Sequence, residues 1–586
     1  MGLLFLASLP LSRPALDRPN IVMLFVDDLG CKPRATSRRL QRHSRRPARP
    51  RLSACKWRGS DGDVGFNGHP TTSSPTIDKL AWGGKILTTW YSGCPVCSCS
   101  RAALMTGRQW PRYGVSPVFN PVTNTGLPLN ETTLAEVLKK VNYATGAVGK
   151  WHLGQREAYL PGARGFDSYL GIPYSDDMGE ARATPCDGSG MRHPPGTSAR
   201  SAAAAAMEPY VTSNVSRAAL TAAERGDPAG DHLPLVLQSK GRTTILEQPL
   251  DFSHLASHYA SFATDFIEAH QADPFFLYMP FSHVHTTASN QPEKQYAGCP
   301  WGGRAFQNTT RRGKFGDALA ETDAIVAEVV DKLEALGLSK NTLILFTGDN
   351  GPWLVQGASG GSSGLLSGRF SGYWNTGKGS TWEGGIREAG FAHWPGVISP
   401  MSRSAEVVSS LDVFPTVAEL AGAPLPAAPL DGRSMVPILL NESQSQHDIL
   451  FFYAIKADDG TGLYAPIAAR HGPFKAHWRT GPGIGGCDNW PSESPAGCPT
   501  LEYPDVPLLF NVEVDPSEAY NLTDGKTMPA ADSPLRAVVE TLNKARAAEI
   551  ATVHQVHTPP APDGPGEGPG TYGVCCDRTR ACNCST

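Results

Sequence analysis

This 586-residue sequence contains no internal repeat, no apolar run long enough to cross a bilayer, and no acidic residue between positions 31 and 60. The apolar run at the N-terminus, inside MGLLFLASLPLSRPALDRPN, covers about eight residues, whereas a spanning helix needs about 20. It fits the core of a signal peptide over residues 1–17, although no positive n-region precedes it. The missing acids belong to a segment that holds 11 Lys and Arg. Outside it, 41 basic residues face 55 acidic ones, so the overall charge of −3 conceals a remainder at −14. That balance excludes a nucleic-acid surface elsewhere in the chain. The Arg/Pro-rich stretch has no periodic apolar face with which to offset its ordering entropy. Residues 31–60 therefore read as a basic insertion outside the packed fold.

The last four cysteines, Cys575, Cys576, Cys582 and Cys584, lack the paired C-x-x-C spacing of a zinc site and read instead as a disulfide knot. Thirteen cysteines, six of them beyond residue 480, are more than a reduced cytosolic enzyme carries. Six N-x-S/T sequons, at Asn130, Asn214, Asn308, Asn441, Asn521 and Asn583, agree with a glycoprotein of the secretory pathway. A lysosome-like compartment or the extracellular or cell-wall space is the expected destination.

What is present is a recurring pattern of apolar run followed by polar, ligand-capable residues. NIVMLFV runs into Asp27 and Asp28, FFLYMPF into His283 and His285, and TLILFT into Asp349 and Asn350. Unbroken runs of this kind fit buried strands of a mostly parallel sheet, whose carboxyl ends line the ligand crevice of an α/β fold. All three runs thus deliver their chemistry to one edge. Helices are expected over 133–141 and 318–336, the second with Thr322, Val326, Val329, Val330 and Leu333 on a core-facing stripe. Residues 198–206, 357–372 and 559–570 read as linkers or insertions. Beyond about residue 445 β-type runs take over. The expected organisation is a catalytic α/β domain over 18–445, built on a large mixed, mostly parallel sheet flanked by helices, and a smaller α+β domain with an antiparallel sheet over 446–586.

Asp27, Asp28, Asp349 and Asn350 offer hard oxygen donors, which suit Ca²⁺, or Mg²⁺ second, better than zinc. Asp-Asp-Leu-Gly and Asp-Asn-Gly are also ordinary turn sequences. The weight comes from residues 93–108, GCPVCSCSRAALMTGR. This segment resembles the sulfatase signature C-x-P-S-R followed by a small-small-Leu-Leu/Met-T-G-R run. The arginine four residues on sets the register at Cys97, with Ser98, Cys99, Ser100 and Arg101 following. AVGKWHLG, GIPYS, TPCDG, FTGDNGP, GKGSTWEGGIRE and SLDVFPTVAELAG then resemble sulfatase blocks in family order. GIPYS, TPCDG and the CC…CNC tail are similar to the arylsulfatase A branch.

The resemblance implies an alkaline-phosphatase-like fold, sulfate-ester hydrolysis, and oxidation of Cys97 to formylglycine by a generating enzyme. Its hydrated aldehyde would attack sulfur. Arg101 would steady it; Asp27, Asp28, Asp349 and Asn350 would hold the cation. Lys150, His152, Ser175, His285 and Lys378 would complete the pocket, with His152 as base and His285 as proton donor to the leaving alcohol. Sulfated small molecules, glycolipids or polysaccharides are the implied substrates, and a homo-oligomer is compatible. His283 reads as structural, and Glu383 with Arg387 as a supporting ion pair. Two departures stand out. Cys99 replaces the signature proline, removing a φ restraint, so Cys99→Pro is expected to raise conversion; and residues 31–60 split a block that is continuous in the family. The competing readings are a phosphoester hydrolase of the same superfamily and an impaired relative that binds sulfated glycans. A small metal or disulfide cluster of Cys94, Cys97 and Cys99 is a further alternative.

Overall fold

The computed structural model describes residues 18–31, 62–121, 123, 125–179, 181, 233–287, 298–441, 443–455, 464–486 and 498–553. Residues 1–17, expected to be a signal peptide, nearly all of the expected basic insertion, the Ala-rich 198–206, TPCDG, the 559–570 spacer, the cysteine tail, and the Asn214 and Asn583 sequons lie outside the described residues.

Ten strands form the central sheet: β1 (Asn20–Val26), β2 (Lys85–Leu87), β3 (Ala144–Val148), β4 (Ser168–Gly171), β5 (Leu235–Ser239), β6 (Arg242–Glu247), β7 (Phe275–Pro280), β8 (Thr342–Gly348), β9 (Gly390–His393) and β10 (Ser402–Ser404). Their spatial order is β10-β2-β9-β8-β1-β7-β3-β4-β5-β6. The middle five, β8-β1-β7-β3-β4, run parallel; antiparallel pairs flank them on both sides. Every residue of β1, β7 and β8 is buried, as expected for apolar runs covered on both faces. These three are neighbours in register, Phe25 against Pro280 and against Thr347. The polar residues after each strand therefore emerge side by side.

Helices cover this sheet. α1 (Pro75–Trp82) starts under Asp323, whose carboxylate accepts from the backbone N–H of Thr76 and Ile77 at 3.1 and 2.8 Å. α2 (Cys97–Thr106) is buried along its whole length. α3 (Leu134–Lys139) opens on a capping box between Thr133 and Glu136, which satisfies two amides that the first turn leaves open. α4 (Phe252–Ala269) packs on β3 and β4 and beside α5 (Lys314–Ala335). α5 buries Thr322, Val326, Val329 and Leu333, the stripe read from the sequence; Val330 is only half-buried.

The loop over 357–372 is not the linker expected from its Gly/Ser content. Leu366 within it is fully buried, and the Ser362 amide donates to Asp63, 3.2 Å away. Its glycines serve conformation instead: Gly361, Gly364, Gly368 and Gly372 all take positive φ, which allows the chain to double back on itself.

After α6 (Val413–Ala421), four antiparallel strands, β11 (Ile449–Tyr453), β12 (Pro466–His471), β13 (Phe474–His477) and β14 (Leu508–Asn511), form a second sheet. α7 (Pro534–Thr552) lays Val539 and Leu542 onto Ala469, Ala476, Trp478 and Leu509. A buried ionic network joins the two parts. Lys475 on β13 pairs with Glu383 at 2.9 Å and with Glu518 at 3.2 Å, while Glu383 also binds Arg387 at 2.9 Å and the Tyr91 hydroxyl at 3.0 Å. The expected Glu383–Arg387 pair is thus one edge of a larger cluster.

Candidate active site

Asp27 and Asp28 follow β1, His285 follows β7, and Asp349 and Asn350 follow β8; all are buried. Lys150 and His152 follow β3, and Ser175 follows β4, so five adjacent strands feed one site. Asp28 and His152 sit at φ of 55° and 57°, a region that costs a side-chain-bearing residue energy and so marks positions held by their surroundings.

Cys97 is the first residue of α2, and its Sγ lies 3.6 Å from both Asp27 Oδ1 and Lys150 Nζ. It is buried and unpaired, whereas Cys94 and Cys99 are joined in a disulfide. One helical turn along, Arg101 donates through Nη1 to the Lys150 carbonyl at 2.8 Å. Its Nη2 pairs with Asp349 at 2.8 Å and Asp27 at 3.2 Å. Its Nε–H is buried without a protein acceptor. The Ser100 hydroxyl donates to the Asp349 carbonyl at 2.5 Å, which fastens α2 to the end of β8. Lys150 also pairs with Asp27 and donates to Ser175 Oγ at 3.0 Å.

On the other side of Asp28, Lys378 pairs with its carboxylate at 2.8 Å and lies 2.9 Å from His285 Nε2. Burial and Lys378 oppose charge on His285, but Asp28 and Asp177 together carry its pKa upward. With two nitrogens 2.9 Å apart, only one proton lies along the contact. The other ring nitrogen, Nδ1, is 2.8 Å from the Thr286 carbonyl and 3.2 Å from Asp176. His152 differs. Its Nε2 donates to the Phe119 carbonyl at 2.9 Å, and since a carbonyl only accepts, Nδ1 holds the lone pair, buried and without a protein partner. Burial, then Lys150 and Arg101, keep this ring well below the ordinary histidine pKa. His283, expected to be structural, points away and pairs with Glu321 at 3.1 Å.

The donor set fits a divalent cation. Asp27, Asp28, Cys97 and His285 offer ligand atoms within 4.8 Å of one another, and Asn350 Oδ1 is buried with no hydrogen-bond partner. Asn350 Nδ2 donates to Asp28 at 2.7 Å, which ties the two strand ends together. Burial and the charge of Asp27 push Asp349 up to about 7; a bound cation would reverse that by favouring the carboxylates. The three carboxylates are already balanced by Arg101, Lys150 and Lys378. A cation added to that balance leaves a positive site, which calls for an anionic ligand.

All the residues expected from the sequence converge here, with His152 one step removed through Phe119. Two contributors were not foreseen. Asp176 follows Ser175 in the chain, and nothing in its neighbours signals a contact with His285. Trp353 packs against His285, with ring centroids 5.3 Å apart, and lies 4.7 Å from Lys378 Nζ. Only its place after Asp349-Asn350-Gly-Pro could have suggested it.

A parallel α/β sheet whose strand ends converge on buried cations, carboxylates and a thiol defines an enzyme site for an anionic group. Comparison with known proteins narrows this. The model of the sulfatase family matches residues 57–423, and that of the C-terminal region of aryl-sulfatase matches 445–584. Human arylsulfatase A is 36% identical, covering 89% of this chain and 85% of its own. Human arylsulfatase G is 35% identical, covering 87% and 83%. The crystal structure of the PsFucS1 sulfatase from Pseudoalteromonas sp. superposes with a TM-score of 0.64 at 24% identity, covering 92% of each chain. That of Ps i-CgsB does so with 0.61 at 24%, covering 92% of this chain and 95% of its own. At that identity the two structures speak to fold alone. The chain belongs to the sulfatase family, and its relatives support a sulfuric ester hydrolase.

Proposed function

We propose that this chain hydrolyses sulfate esters through a formylglycine made from Cys97, with Ca²⁺ (or Mg²⁺) at Asp27, Asp28, Asp349 and Asn350. The observation that carries this is the place of Cys97: a free thiol at the start of α2, 3.6 Å from both Asp27 and Lys150. A formylglycine at position 97 would offer, as its hydrate, two hydroxyls: a nucleophile and a group for the later release of sulfate. A cation held by Asp27, Asp28, Asp349 and Asn350 would supply positive charge for oxygens that gather electron density.

The other side chains do the rest. Lys150 and Lys378 hold sulfate oxygens, and their fixed positions remove the cost of reorganisation during transfer. Ser175 and Asp27 fix the Lys150 ammonium. The unpaired Nε–H of Arg101 is the donor left over for the oxygen at position 97. His152, neutral and with its Nδ1 lone pair unengaged, accepts the proton when sulfate leaves. The proton between Lys378 and His285 serves the departing alcohol.

The substrate would be a sulfated small molecule, glycolipid or polysaccharide, with Trp353 packed beside Lys378. A generating enzyme acts during maturation. The Cys94–Cys99 disulfide and the disulfide-bonded Cys299 and Cys498 support a secretory route. We retain 18–445 as the catalytic domain and 446–586 as the C-terminal one, which the two matched family regions support. The test is a mass measurement on the tryptic peptide that carries residue 97, joined to turnover of an aryl sulfate and its aryl phosphate analogue. An aldehyde mass with sulfate turnover is expected. An unmodified thiol with no sulfate turnover, or a preference for phosphate, would overturn the reading.

A further inference from the structure

Three cysteines lie within six residues, and only two of them can pair. Cys94 and Cys99 do so, with Cα atoms 5.6 Å apart, and the bond spans Cys97 without using it. The alternatives differ in consequence. Cys94 and Cys97 have C-x-x-C spacing, so a bond between them is sterically ordinary and would seal position 97. Cys97 and Cys99 are two residues apart on α2, about 200° around the helix, so their sulfurs face opposite ways once α2 forms. Position 97 is therefore threatened by one thiol, that of Cys94. The partner that occupies Cys94 is the residue standing where the signature has proline.

We propose that Cys94 and Cys99 are specificity-determining residues for maturation of position 97: their disulfide sequesters the competing thiol and leaves Cys97 the sole substrate for conversion. This rests on the formylglycine reading above. Cys97 is buried in the folded chain, 3% exposed, so a modifying enzyme must meet it before α2 packs against the sheet, when Cys94 can still reach it. The exchange that threatens it is balanced without an outside oxidant. A Cys97 thiolate attacks Cys94 Sγ, the Cys94–Cys97 bond forms, the Cys94–Cys99 bond breaks, and Cys99 leaves as thiolate. Once α2 has packed, the fold opposes that step, because Cys99 is fully buried on α2 and its thiolate would be stranded away from water. Without Cys99, Cys94 and Cys97 can instead be oxidised together by a disulfide such as oxidised glutathione, which takes up their two electrons and two protons. Cys99→Pro, though it restores the signature, thus leaves Cys94 unpartnered, and its benefit requires removal of Cys94 as well.

The test uses full-length protein secreted from cells that carry the modifying enzyme, denatured and alkylated without reduction. Cleavage after Lys85 and Arg101 places all three cysteines on one peptide. In the wild type, fragmentation should find Cys94 linked to Cys99, with position 97 as aldehyde or alkylated thiol. In Cys99→Ser, the aldehyde-plus-alkylated fraction at 97 should fall below about one tenth of wild type as a Cys94–Cys97 bond appears. In Cys94→Ser, and in the double Cys94→Ser/Cys99→Ser, position 97 should stay open. A general folding defect would not produce that asymmetry between the two single variants. Alkylated Cys94 and an open position 97 in Cys99→Ser would overturn the proposal. A wild type with position 97 alkylated and never an aldehyde would defeat the formylglycine reading alone, since the pairing is still read from the label.

Discussion

The backbone N–H of Ile484 donates to the carbonyl of Lys378 at 2.8 Å. Asn375 completes the clamp: its buried side chain donates to the carbonyls of Ile484 and Gly486 at 3.1 and 2.8 Å, and its own carbonyl accepts from Gly483. A loop that follows β13 in the C-terminal part thereby holds the lysine that pairs with Asp28. Asn375→Ala should loosen Lys378 while sparing the distant core. Steady-state kinetics should show kcat/KM for an aryl sulfate down by roughly 10-fold, about the worth of one or two hydrogen bonds, with unchanged circular dichroism. An unaltered kcat/KM would show that the clamp does not matter.

Asp27→Ala should abolish metal binding and turnover together. It also strips a carboxylate from Lys150 and Arg101, although Ser175 and Asp349 remain as their partners. We expect a folded protein destabilised by about 3 kcal/mol. Elemental analysis, aryl sulfate turnover and thermal melting read the three effects, and retained metal or activity would remove Asp27 from the site.

Lys475→Met leaves the buried carboxylates of Glu383 and Glu518 facing each other without their shared cation. Chemical denaturation should report a loss of about 3–5 kcal/mol, the cost of breaking a buried pair rather than a surface one. A change under about 1 kcal/mol would mean that the network contributes little to the join.

His447 and Asp412 lie 2.7 Å apart and nearly buried, where the chain passes into β11. Burial alone would drain charge from the ring, but Asp412 outweighs it and raises the histidine pKa above 6.5. A raised folded pKa stabilises fully below the unfolded value and loses that contribution as pH climbs through the folded one. Wild type should therefore exceed His447→Gln by about 1–2 kcal/mol at acid pH, with the gap closing above pH 6.5. Melting curves across that range check it; a gap that widens with pH would contradict the assignment.

Gly30 and Asp63 flank the basic insertion and are hydrogen-bonded to each other: the Asp63 N–H donates to the Gly30 carbonyl at 2.9 Å and the Gly30 N–H to the Asp63 carboxylate at 2.7 Å. The fold is already closed across the base of that segment. Replacing residues 32–61 with a short Gly/Ser link should leave the melting temperature and turnover near wild type. A large fall in either would make the segment structural.

Much of this was legible in one dimension. Runs such as NIVMLFV and TLILFT announce buried parallel strands because a strand covered on both faces needs no polar alternation. The residues after them announce the site because a parallel sheet delivers strand ends to one edge. The Gly/Ser content of 357–372 misled, since glycine marks flexible linkers and tight, packed turns alike. Asp176, Trp353 and Asn375 were invisible, because their roles are contacts with residues remote in sequence.

The sequence alone determined the family, the strand pattern and the candidate for the reactive residue, because these reside in local order: an apolar period, a spacing, a cysteine four residues before an arginine. Only the tertiary structure decided that Cys94 pairs with Cys99, which ring nitrogen of His152 is left unengaged, and which loop steadies Lys378. Those outcomes depend on how the folded backbone aims side chains at one another, from five residues apart for Cys94 and Cys99 to the Ile484–Lys378 contact across the two parts, and such geometry exists only once the sheet has formed and water has been excluded from between its ends.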